Sequence, residues 1–200
     1  MVEVMDLSVL LDPIDLPRLA SVLDELGHLG RVATILEWDR ATQAKLYEAV
    51  KGFRKVTIDD YVPPSIAPLT EVIHHGKNSL PMFTHFQKRF CKPAEPTAPK
   101  SLLYGYNHQA MTPFTGPGYY VAYDEGDEVF IDYTQLPPAK VPSWPEIVPN
   151  EAKLGRVVYA GMIDIMRGIS SHVSIGRAKK KGQMMDAWFV LCRQDPEAAA

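Results

Sequence analysis

The placement of proline constrains this chain more than any other feature. Seventeen prolines occur in the 200 residues, and none lies between Pro17 and Pro63 or between Pro149 and Pro196. A proline inside a helix or central strand removes a backbone donor and clashes with the preceding turn. Long regular elements are therefore confined to the two clear stretches, and the region between them must be cut into short pieces.

The first clear stretch reads as helical. Asp15 is placed to cap a helix and Pro17 sits just inside its start, where a missing N–H costs nothing. Leu19, Val22, Leu23 and Leu26 recur at helical spacing as one apolar stripe. Gly27 and Gly30 are expected to break it. A second helix is expected from near Asp39 through Leu46, Ala49, Val50 and Phe53, with 31–38 between them read as helix rather than strand.

From about Val62 alternation replaces the helical stripe. Segments 70–75, 82–90, 101–107, 118–123 and 128–133 read as short strands. The run Asp124-Glu125-Gly126-Asp127 is a tight polar hairpin turn. Residues 92–100 form a longer loop, and 137–149 an extended connection held by Trp144. In the second clear stretch, 157–169 fits either helix or strand, while 172–178 and 184–193 read as strands joined at Lys179-Lys180-Lys181-Gly182. Segment 80–90 carries the same ambiguity, because Met82, Phe86 and Phe90 also repeat every fourth residue. The expected fold is α+β: residues 1–60 as an N-terminal helical segment, packed on or plugging a lipocalin-like antiparallel β-barrel or half-barrel formed by 61–195, the two making one folded unit.

Composition narrows the class of function. Hydrophobic residues make up 46% and charged residues 22%, a globular balance. The net charge of −3 supplies no global pull toward nucleic acid or an anionic membrane. No apolar run approaches the roughly 20 residues that span a bilayer. The acidic start lacks a signal-peptide pattern, and Cys91 and Cys192 form no CxxC pair, so a soluble cytoplasmic protein with free thiols is expected. Oligomeric state is not readable.

Residues 162–182, MIDIMRGISSHVSIGRAKKKG, followed by AWFVLCR, resemble the closing hairpins of small lipocalin-like barrel proteins of the GXWXG type. Ile163, Asp164, Arg167, Gly176, Phe189 and Arg193 hold the matching places. The name-giving Gly-x-Trp-x-Gly is absent, and Met166 stands where that pattern has an aromatic. The resemblance runs over residues 162–193 and implies a barrel, not a ligand or an activity.

The densest polar and aromatic cluster is 104–109, YGYNHQ, followed by 115–120, TGPGYY. Such groups near glycines present several donors and acceptors to one ligand, or simply fill a sheet face. His74 and His75 are adjacent, so on a strand they face opposite sides and do not share a metal. No metal-ligand spacing and no cofactor motif occurs. Asp164 and Arg167 lie in an apolar run, either as a latch closing the barrel or with Arg167 as an anion anchor. Ser170-Ser171-His172 lacks an elbow motif. Cys91 follows Lys88-Arg89, whose charge would favour the thiolate. Lys179–Lys181 reads as a solvated turn that protects a hairpin end.

The expectation is a barrel that binds a small, largely apolar ligand, with Tyr106, Asn107, His108, Tyr120, Arg167 and His172 as polar contacts. An enzyme in the same pocket would pair His108 or His172 with Asp164 as acid and base. The third alternative is a partner-binding module without a pocket, its amphipathic helices docking another protein.

Overall fold

The computed structural model describes residues 5–82, 84–152 and 154–195. Eight strands close into an antiparallel barrel in chain order, β1 (Val72–Asn78), β2 (His85–Cys91), β3 (Leu103–His108), β4 (Tyr120–Glu125), β5 (Glu128–Asp132), β6 (Met162–Gly168), β7 (Val173–Lys180) and β8 (Gln183–Arg193). Closure runs through β1 and β8, with His75 opposite Cys192 and Gly76 opposite Leu191. The sheet is therefore closed rather than a half-barrel, and no strand edge is left open.

Alternation decides what fills the interior. Phe86, Lys88 and Phe90 of β2 share a face, as do Leu103, Gly105 and Asn107 of β3. These faces meet Tyr120, Ala122, Val129, Ile131, Met166, Phe189 and Leu191 in one core. Rings occupy the space a side chain would need at the inward glycines. A Cβ at Gly105 would lie 2.3 Å from the Tyr120 ring and 2.4 Å from the Arg89 carbonyl oxygen, and one at Gly176 would lie 2.4 Å from the Phe189 ring. The barrel centre is packed in this form, whereas the expected ligand reading calls for a pocket there.

The N-terminal elements are α1 (Ser8–Leu11), α2 (Leu16–Glu25), α3 (His28–Leu36) and α4 (Arg40–Ala49). Asp15 and Asp39 cap α2 and α4 by accepting from the Arg18 and Thr42 amides at 3.1 and 2.8 Å. Gly27 caps α3, but Gly30 lies within it and does not break the helix. Leu19, Leu23, Ile35, Leu46 and Val50 share a second core with Ile175, Val190 and Cys192 from the outward faces of β7 and β8. A short α5 (Ile58–Tyr61) places Ile58 and Tyr61 in the inner core, closing one barrel end.

The opposite end carries the longer connections. Two short helices cross it, α6 (Thr112–Thr115) and α7 (Gly155–Val158), and the Leu154 amide donates to the Phe114 carbonyl at 3.4 Å. Segment 157–169 thus splits, its first residues helical and Met162–Gly168 a strand. In segment 80–90 the expected strand is found as β2 from His85, residues 80–82 bend before it, and residue 83 lies outside the described residues. Trp144 buries against Tyr106 and Tyr119 on the outer face of β3 and the start of β4, holding the extended connection.

Candidate functional site

An ion pair lies inside the barrel. Lys88 is 2% exposed and Asp164 3%, and Lys88 Nζ stands 3.1 Å from Asp164 Oδ2. Lys88 comes from the inward face of β2 and Asp164 from that of β6, across the lumen. Its ammonium also donates to Asn107 Oδ1 at 3.0 Å and, through a short contact, to the Tyr133 hydroxyl. The Tyr133 hydroxyl donates to Asp164 Oδ2 at 3.3 Å. Asn107 Nδ2 donates to the Gly118 carbonyl at 3.0 Å. All three ammonium protons thus have acceptors.

The surroundings are aromatic. Lys88 Nζ lies 4.9 Å from the Tyr133 ring centroid, 5.0 Å from Tyr120, 5.1 Å from Phe189 and 5.8 Å from Phe86. Ring faces favour a cation, but the loss of water opposes it. Burial pushes the Lys88 amine below its usual value, and the Asp164 carboxylate partly restores it. The same burial holds the Tyr133 and Tyr120 phenols well above theirs, so both stay protonated and able to donate.

Two coverings separate this cluster from solvent. Tyr159 stacks on Tyr133 with centroids 5.4 Å apart and accepts from Gln109 Nε2 at 2.8 Å. Phe86 is the other. It walls the ammonium and also lines a surface groove of about 250 Å³ with His75, Gly76, His85, Gln87 and His108.

A second polar chain lies toward the α5 end. His74 Nε2 faces the Tyr61 carbonyl at 3.0 Å, and because a carbonyl only accepts, Nε2 carries the proton. His74 Nδ1 is buried without a partner, and burial pulls the imidazole down to about 3, so it is neutral. Tyr61 donates to Ser174 Oγ at 3.0 Å. His75 faces out and meets Gln194 Oε1 at 3.2 Å.

The six expected ligand contacts do not converge. Asn107 and Tyr120 point inward, and the Tyr120 hydroxyl donates to the Arg89 carbonyl at 3.1 Å. Tyr106 faces outward against Trp144, 5.0 Å between centroids, and His108 lies edge-on to Tyr106 at the groove. Arg167 also faces outward. It donates to Glu128 Oε1 at 2.6 Å and the Tyr47 carbonyl at 2.7 Å, with its guanidinium 4.0 Å over the Tyr47 ring. Its opposite facing from Asp164 follows from their odd separation on β6, and it ties α4 to the barrel wall.

His172 lies in the β6–β7 turn, 3.7 Å from Asp24 Oδ1 and 3.3 Å from Asp195 Oδ1. The acid–base pairing of His108 or His172 with Asp164 is not formed, because Asp164 lies in the lumen, whereas His108 ends β3 facing outward and His172 lies in the β6–β7 turn. Cys91 is buried, and burial pushes its thiol up to about 12, the reverse of the shift expected from Lys88-Arg89. Lys88 points into the lumen away from it, since β2 alternates.

Lys88 was readable only as a flank of Cys91. The signal that identifies it is the spacing Phe86, Lys88, Phe90, which puts a cation on an aromatic strand face. Tyr133 had no such signal, being the last residue of an alternating run before a long connection. Among the described residues no three His, Cys, Asp or Glu side chains are grouped to hold a metal ion. No helix among them is long and apolar enough to cross a membrane. In comparisons with known proteins, no family model matches the chain, and no curated protein or solved structure matches it significantly.

Proposed function

We propose that the barrel binds a small, largely apolar ligand bearing one anionic or carbonyl group, which Lys88 receives in the lumen. The observation that carries this reading is the gathering of an ammonium, a carboxylate, an amide and a phenol at one depth of an otherwise aromatic interior. Stability alone does not call for such a cluster, because a buried ion pair is often no better than packed apolar side chains. Functional sites are also where burial and a specific charge partner are found together.

The ligand's oxygen would take the place of one of the three acceptors now on Lys88, and its apolar body the space now held by Phe86 or Phe189. Phe86 swinging outward joins the lumen to the groove beside His108. A lipocalin-like role for the fold belongs to the same proposal, and so does the retention of Asn107, Tyr120 and His108 as contacts. With all three ammonium protons held, Lys88 serves as an anchor and not as a free nucleophile.

Fluorescence titration with 1-anilinonaphthalene-8-sulfonate, displaced by dodecanoate, tests the reading. Lys88→Met alone would strand Asp164 without a partner, so the decisive variant is Lys88→Met/Asp164→Leu, which keeps the lumen packed. Saturable binding by the wild type, weakened at least about tenfold in the double variant, is expected; losing one charge-assisted hydrogen bond accounts for that much. Equal binding by a folded double variant, or no saturable binding by the wild type, overturns the proposal.

A further inference from the structure

The exposed large apolar side chains are distributed unevenly over the molecule. Among the described residues outside the N-terminal helical region they are Leu80, Met82, Phe114, Leu136, Leu154, Val157, Val158, Met184 and Met185. Leu80 and Met82 belong to the β1–β2 turn, Phe114 to the β3–β4 connection, and Leu136 and Leu154–Val158 to the β5–β6 connection. Met184 and Met185 begin β8 beside the β7–β8 turn. All four of these connections lie at the same end of the barrel, opposite α5. Among the described residues the β2–β3, β4–β5 and β6–β7 connections at the other end carry no exposed large apolar side chain.

Exposure at that end is high, with Val157 at 69%, Met82 at 68% and Phe114 at 61%. These side chains stand on turns, short helices and a strand tip, and none of them lines the grooves beside Pro63, Pro93, His108, Trp38 or Leu46. A ring of protruding apolar tips suits a deformable apolar layer better than a rigid complementary protein surface.

Charge at the same end has one dominant sign. Arg156 lies in α7 beside Val157, Lys179 lies near the end of β7 and Lys181 in the β7–β8 turn, none of the three with an ion-pair partner among the described residues. Lys180 donates to the Val157 carbonyl, which fixes this turn against α7. Of the acids at this end, Asp186 is paired with Arg177 at 3.2 Å and Glu146 with Lys140 at 3.6 Å; Asp132 is buried and held by Thr134 and Gln135, which leaves Glu151. The chain's net −3 therefore conceals a locally basic, apolar face.

We infer that this end of the barrel docks on an anionic lipid bilayer, with Phe114, Val157 and Met82 entering the interface and Arg156, Lys179 and Lys181 meeting the headgroups. Apolar insertion and basic attraction reinforce each other in such contacts. The inference stands on the surface alone and holds whether or not the lumen takes a ligand.

Cosedimentation of the full chain with vesicles tests it. Binding to phosphatidylcholine vesicles containing about 30% phosphatidylserine is expected to exceed binding to pure phosphatidylcholine, and to weaken severalfold between about 0.1 and about 0.5 M salt. Phe114→Asp/Val157→Asp should lower the partition at least about tenfold, from the lost apolar burial. Lys179→Glu/Lys181→Glu should abolish the preference for anionic lipid, whereas Leu29→Asp, equally exposed but on α3, should change nothing. No sedimentation with either vesicle overturns the inference, as does undiminished binding by Phe114→Asp/Val157→Asp. A wild-type dimer that this variant turns monomeric overturns it too, assigning the face to a second copy of the chain.

Discussion

Lys88 and Asp164 hold each other's charge in the lumen, and each is costly without the other. Removing one partner from a buried pair typically costs about 3–5 kcal/mol, because the remaining ion is left without water or counter-charge. Lys88→Met and Asp164→Asn should each lose about that much stability in denaturant titrations. Lys88→Met/Asp164→Leu should recover most of it. A double variant as unstable as the sum of the singles would show that the two sites act independently.

His74 belongs to the same scale and sets a pH dependence. Its folded form stays neutral down to about 3, whereas an unfolded histidine takes up a proton near 6.5. The unfolded state therefore binds more protons between those values, and stability falls as pH is lowered through that window. The slope from this one group is at most about 1.4 kcal/mol per pH unit. Acid titration of His74→Phe should show a shallower decline over the same window. An unchanged slope would place the titrating group elsewhere.

At the scale of elements, much of the architecture was legible because caps and alternation are local signals. Asp15 with Pro17, and Asp39, mark where α2 and α4 begin. The polar turn expected at 124–127 narrows to Gly126 and Asp127, with Gly126 at φ 65°, because Asp124 and Glu125 end β4. Gly30 misled, because one glycine costs a helix only about 1 kcal/mol and the burial of Arg31, Thr34 and Ile35 outweighs it. The helices α5, α6 and α7, four residues each, are too short for periodicity to register. Asp39→Ala should cost about 1 kcal/mol by removing a cap. Gly105→Ala should cost about 3 kcal/mol, since the added methyl meets backbone as well as the Tyr120 ring and neither can yield cheaply. A melting temperature for Gly105→Ala within a degree or two of wild type would contradict that packing.

For the whole molecule, strand count and antiparallel order followed from spacing, but closure and filling did not. Strand periodicity reports which face a residue occupies, not whether the sheet's ends meet or what stands across the lumen. The expected site residues failed to converge for that reason. They were chosen from β3, from the first residue of β4 and from the two sides of the β6–β7 turn, and alternation sends Tyr106, His108 and Arg167 outward. The lumen cluster joins β2, β3, β6 and Tyr133 after β5, residues far apart in sequence. Only the register of the closed sheet brings them together.

Native mass spectrometry of the intact chain mixed with dodecanoate puts the lumen's role to the test most directly. A one-to-one adduct that survives desolvation in the wild type, and is missing from folded Lys88→Met/Asp164→Leu, is the predicted result. Bare protein mass in both, or an adduct of equal abundance in both, contradicts a ligand seated on Lys88.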